Sequence, residues 1–312
     1  MKIKLLSMSA AALLAPQIAT AQVPDVCTNI RIADGGWTDN AAQNGFVTNV
    51  LKGLGYEPEI DFLSLGVLLE GMQAGNVDVF LASWTPNSDA TLNPYIESGA
   101  IMNVGYNLVG AQYALAVPKY TYDAGLQSFA DIEDFYEELD GNIYGLEPGN
   151  DSNNVIVQMQ EDGAFGFDRF NLVESSESAM LSAVERAVKR NEPIVFVGWS
   201  PHPMNTRFEM EYLGGGDDYF GPNYGSAKVW TGLRPGYVEQ CPNATRFFEQ
   251  LRFTVESLSV VMSGILDNDA NPEDAARTWL QENPEILDSW LDGVQTVDGQ
   301  PGLEAVRASL AE

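Results

Sequence analysis

Basic residues are scarce. Only 16 Lys and Arg stand against 44 Asp and Glu, a formal charge of −28 over 312 residues. Such a chain repels phosphate backbones, so a nucleic acid partner is excluded. Histidine is limited to His202 and cysteine to Cys27 and Cys241. That is too few ligands for a zinc centre. Catalytic signatures are missing as well: neither a Gly-x-Ser-x-Gly elbow nor a His-Glu-x-x-His helix occurs. A secreted hydrolase built on a Ser-His-Asp triad would have to use His202, whose place between Pro201 and Pro203 suits a structural role better. The acidic pairs Asp217-Asp218 and Asp131/Asp134 read as solvated turn and helix surface rather than a calcium loop. No enzyme activity, metal or cofactor is expected.

Long apolar runs are also lacking. The longest, residues 5–18, is interrupted by Pro16 and falls short of the roughly 20 residues that span a bilayer. Lys2 and Lys4 precede it and Ala19-Thr20-Ala21 follows it, the order of a cleavable signal peptide ending at residue 21. No cysteine stands at the cleavage point itself, which argues against a lipid anchor. Removing residues 1–21 from the 312 leaves 291, and the two lysines lost take the charge from −28 to −30. Export to the periplasm is therefore expected. In that oxidising compartment the two cysteines read most simply as one disulfide. Such a bond ties the start of the mature chain to a segment 214 positions later.

What is present is an alternation of strand-like and helix-like segments without repeats or low-complexity linkers, the pattern of an α/β protein. Strands are predicted at 29–33, 58–63, 77–82, 113–117, 142–146, 170–173 and 194–197. Helices are predicted at 41–54, 66–75, 128–139, 150–160 and 178–190. A Gly- and Asp-rich passage at 213–224 reads as a return to the first half, and from 243 the chain is mainly helical. Length and the long-range cysteine pair imply two lobes joined by two crossings. Lobe 1 is assigned to 22–111 and 220–312, and lobe 2 to 112–219.

Three of the six tryptophans follow predicted strands beside glycine or proline: Trp37 after Gly35-Gly36, Trp84 before Thr85-Pro86, and Trp199 before Ser200-Pro201. In open α/β sheets ligands bind beyond the carboxyl ends of strands. Trp279 and Trp290 fall in helical patterns and Trp230 in a strand-like one, so core packing is their role. Tyr113 opens the crossing strand and supplies a fourth face. Electron-rich faces gathered round one point attract a cation through their quadrupoles. A methylated ammonium has no N–H to donate, so a cage suits it better than carboxylate hydrogen bonds do. Asp39 either adds negative charge or caps the helix predicted at 41. Asn150 either bonds a ligand hydroxyl or caps the helix it precedes.

The segments Gly36-Trp37-Thr38-Asp39, Trp84-Thr85-Pro86, Gly110-Ala111-Gln112-Tyr113, Tyr144 to Asp151, Val197 to Asn205 and Phe220 to Gly225 resemble those of periplasmic choline-binding proteins of ABC transporters. The likeness runs in order along the mature chain and includes both cysteines. It implies the type II bilobal fold, a receptor that closes on its ligand, a membrane permease as partner, and a monomer. It also implies that Trp37, Trp84, Tyr113 and Trp199 form the aromatic box, with Asp39 and Asn150 as its polar partners. The wider group binds glycine betaine and related osmoprotectants. The trimethylammonium head is common to choline and betaine, so the tail decides. A betaine carboxylate needs Lys, Arg or several N–H donors, and no Lys or Arg flanks the tryptophan motifs. Choline is the expected ligand, with glycine betaine, trimethylamine N-oxide and carnitine as alternatives.

Overall fold

The computed structural model describes residues 23–312, so the signal peptide and its cleavage point lie outside the described residues. The chain opens with β1 (Asn29–Asp34), α1 (Thr38–Gly53), β2 (Glu57–Phe62), α2 (Leu65–Gln73), β3 (Val79–Thr85) and α3 (Asp89–Glu97). β1 pairs with β2 and β3 in parallel, so these are β-α-β units with helices as crossovers. β4 (Met102–Pro118) then runs for 17 residues. Next come α4 (Lys119–Asp123), β5 (Asn142–Tyr144), α5 (Asp151–Glu161), β6 (Asn171–Val173), α6 (Glu177–Arg190), β7 (Phe196–Ser200), β8 (Met210–Tyr212) and β9 (Ser226–Leu233). Across the sheet the order is β2-β1-β3-β9-β4-β7-β5-β6, with β8 also on β4.

Two antiparallel strands hold the halves together. β4 pairs with β9 from Met102 to Gln112 and with β7 from Gln112 to Ala116. One continuous strand therefore serves both halves and changes partner at Gln112. Where the crossings meet, backbone touches backbone. A Cβ on Gly225 would lie 2.1 Å from the Tyr113 carbonyl oxygen, and Gly225 has φ +77°, so both space and conformation require glycine.

α1 is buried nearly all round, as expected of a helix covered on its outer side. The cover is C-terminal: helices Val255–Asn268, Pro272–Glu282 and Gly302–Ala311 pack against it. Phe46 meets Phe253, Trp279 and Trp290 at centroid distances of 5.3–6.0 Å. Trp279, Trp290 and Trp230 are thus packing residues, as their pattern implied. Cys27 and Cys241 form the disulfide, with Cα atoms 5.6 Å apart.

The structure corrects four boundaries. α1 begins at Thr38 rather than 41. The strand expected at 113–117 is the end of the far longer β4. Residues 128–139 do not form an α-helix. They make two 3₁₀ turns, Phe129–Asp131 and Glu133–Phe135, with Phe129 and Ile132 buried at the three-residue spacing that suits such turns. The passage at 213–224 holds one helical turn, Asp217–Phe220, and then a tight turn at Pro222–Gly225 in which Asn223 and Tyr224 take positive φ, before β9.

Candidate ligand-binding site

The six residues singled out from sequence converge. Trp37, Asp39, Trp84, Tyr113, Asn150 and Trp199 all line one cavity, together with Leu65, Phe80, Ala82, Ser88, Leu92 and Asp151. None of the lining residues is Lys or Arg.

Strand register explains the walls. Tyr113 on β4 lies directly opposite Trp199 on β7, so their side chains share a face, with centroids 6.5 Å apart and planes at 62°. Trp84, at the end of β3, stands 5.5 Å from Tyr113 at 36°. Trp84, Tyr113 and Trp199 are all buried. Trp37 is the half-buried fourth side. Its ring folds back over Gly35, where a Cβ would sit 2.4 Å from the indole. Any side chain at residue 35 would displace that wall.

Asp39 lies in the first turn of α1, one position inside the helix and not at its cap. The cap position is Trp37, which makes no side-chain cap bond. The Asp39 carboxylate accepts from Trp84 Nε1 at 3.3 Å. Burial, reinforced by the negative charge of Glu177, pushes its pKa up to about 7. Asn150 does cap its helix: Oδ1 accepts from the Ser152 N–H at 3.0 Å. The same oxygen accepts from Tyr113 Oη at 3.2 Å and Ser152 Oγ at 2.7 Å. Nδ2 donates to Glu147 Oε1 at 3.0 Å. One amide N–H of Asn150 is left for a ligand. Burial drives the Tyr113 phenol far above its ordinary range, so it stays a neutral donor.

Residues 28–282 match the family of substrate-binding domains of ABC-type glycine betaine transport systems. The chain belongs to this family. It is a transport family and not a family of enzymes. The structure superposes on an ABC-transporter choline-binding protein in complex with choline at TM-score 0.90 and 45% identity, over 92% of this chain and 99% of that one. Lactococcal OpuAC in its closed-liganded conformation with glycine betaine follows at TM-score 0.76 and 26% identity, over 84% and 99%. A glycine betaine/carnitine transport binding protein of Listeria monocytogenes is 32% identical over 167 residues, and the match spans 54% of each chain. The fold is that of a bilobal type II periplasmic binding protein.

This substrate-binding protein also uses residues that sequence reasoning passed over. Three carboxylates from the 142–200 half bond neutral donors of the other half. Glu147 accepts from Trp37 Nε1 at 3.0 Å. Asp151, at the start of α5, accepts from Thr91 Oγ1 at 2.5 Å. Glu177, at the start of α6, accepts from the Thr38 N–H at 2.9 Å and from the Thr38 hydroxyl. The first of these satisfies an N–H at the N-terminus of α1 that has no partner within the helix. Glu147 was in plain sight three positions before Asn150. Glu177 carries no local signal, since a helix-opening glutamate is commonplace.

Proposed function

We propose that this protein is a periplasmic receptor that captures choline between two closing lobes and delivers it, as a monomer, to an ABC permease. The observation that carries the reading is the cavity itself, with aromatic faces, the buried carboxylates of Asp39 and Asp151, and no basic side chain in its lining. Each face attracts a quaternary ammonium by about 2 kcal/mol or more once water is excluded. Asp39 adds opposite charge next to Trp84, and the free N–H of Asn150 serves the hydroxyl oxygen. A betaine carboxylate would meet Asp39 with no Lys or Arg to receive it. The 45% identical relative solved with choline supports the same choice.

In this reading lobe 1 comprises 22–111 and 220–312 and lobe 2 comprises 112–219. Lobe 1 supplies Trp37, Asp39 and Trp84. Lobe 2 supplies Asn150 and Trp199, with Tyr113 beside the junction. A ligand touching both is contacted fully only when they meet, so it shifts the population toward the closed form. The bonds from Glu147, Asp151 and Glu177 to Trp37, Thr91 and Thr38 belong to that closed form. Calorimetry on ligand-free protein tests the proposal. Choline is expected to bind with micromolar or tighter affinity and betaine far more weakly, and the reverse order overturns it.

A further inference from the structure

The Glu177 carboxylate is buried at the meeting of three elements, with only 6% of its side chain exposed. Its partners are the Thr38 N–H and hydroxyl on α1 and His202 Nε2 after β7, the last at 3.1 Å. His202 Nδ1 accepts from the Met204 N–H at 2.9 Å, so the ring proton of the neutral imidazole lies on Nε2 and is donated to Glu177. Neutral donors hold this carboxylate, and among the described residues no Lys or Arg pairs with it. Thr38 immediately precedes Asp39. The N-terminus of one helix thus carries two buried acids, one of its own and one brought by the opposite lobe.

We propose that Glu177 is a specificity-determining positioning residue: in docking on the first turn of α1 it brings a second negative charge beside Asp39, so that full closure requires a ligand of net positive charge. This rests on the choline reading and extends it from the shape of the head group to the charge of the whole ligand. The helix dipole favours either acid alone at this terminus. Two of them, so close in a dry site, repel. A choline cation in the aromatic cage offsets that repulsion as the lobes meet. A zwitterion brings a further carboxylate into it, and a neutral amine oxide offsets nothing.

The remaining titratable groups around Asp39 do not change the balance. Asp34 ends β1, Glu147 lies in the turn before α5 and Asp151 at its start, and Tyr113 faces it from β4 as a neutral phenol. All the carboxylates add the same sign. His202 is the one base at the cluster, and its N–H is spent on Glu177.

Choline and betaine titrations of wild-type protein and Glu177→Gln, at pH values on both sides of about 7, test the proposal. In the wild type, choline affinity should fall as pH drops through the range where Asp39 takes up its proton. With Glu177→Gln the midpoint of that fall should move to lower pH by roughly half to one unit, because one neighbouring charge is gone. The preference for choline over betaine should shrink roughly tenfold, about 1.4 kcal/mol. Glu177→Asp, which keeps the charge, should retain the wild-type midpoint and preference. Equal weakening of both ligands with an unmoved midpoint would mean that Glu177 only braces the interface, and the proposal fails. Wild-type protein that prefers betaine would overturn the choline reading itself, whatever the variants do.

Discussion

Replacing Asp39 by Asn should make the unliganded protein more stable and the receptor worse. The carboxylate is fully buried, and its pKa rises from the ordinary 3.8 to about 7. At about 1.36 kcal/mol per pH unit, holding it ionised in the folded state costs about 4 kcal/mol. The folded protein binds this proton more tightly than the unfolded chain, so stability falls as pH rises from about 4 and levels off above about 7. Asn keeps the shape and can still accept from Trp84 Nε1, but it carries no charge. Asp39→Asn should therefore unfold later than the wild type at pH 8, by up to about 4 kcal/mol. Each kcal/mol is worth about 2–4 °C in Tm for domains of comparable size. The gain should vanish below pH 4, where both side chains are neutral. Choline affinity should move the other way. A unit charge about 4 Å from a cation contributes up to about 4 kcal/mol at an effective dielectric of about 20. A loss of roughly 30- to 1,000-fold in affinity at pH 8 is expected. Thermal unfolding at pH 4 and pH 8, with calorimetric choline titration at pH 8, reads both quantities. A variant no more stable than wild type at pH 8, or one with unchanged affinity, refutes the account of Asp39 as a strained charge held for the ligand.

Two further substitutions separate the walls from the frame. Trp199→Ala should lower choline affinity by about 1–3 kcal/mol in isothermal titration, since it removes one face of a desolvated cage. It should also cost about 3–5 kcal/mol of stability as a core truncation, so binding is to be measured well below its Tm. Gly225→Ala should destabilise by more than about 1 kcal/mol in urea, because the new methyl collides with the Tyr113 carbonyl at a positive φ. It should weaken choline binding as well, because the colliding backbone carries the Tyr113 wall.

Some of this was written locally in the chain. β1 and β3 are short apolar runs stopped by glycine or proline, so the places of Trp37 and Trp84 at their ends were legible from pattern alone. Trp199 followed the same rule at β7. Tyr113 was different. Its place on a crossing strand only suggested a fourth wall, family resemblance assigned it, and the wall position depends on lying opposite Trp199 in a strand pair whose register no single segment specifies. β4 was read too short because Gly105 and Gly110 interrupt its pattern, and the missing support comes from β9 more than 100 positions away. The early start of α1 has the same origin. Thr38 joins the helix where Glu177, 139 positions on, accepts its N–H.

The sequence by itself therefore determined the fold class, the cysteine pair, the acidic balance and the placing of Trp37, Trp84 and Trp199 at strand ends. Each rests on composition, on hydrophobic period or on chemistry confined to a few neighbours. Only the tertiary structure decided how Asp39 is charged and what faces it. Its pKa near 7 arises from burial and from an acid on another element, and both exist only once the chain is folded. Long-range electrostatics depends on distance in space, and sequence records distance along the chain.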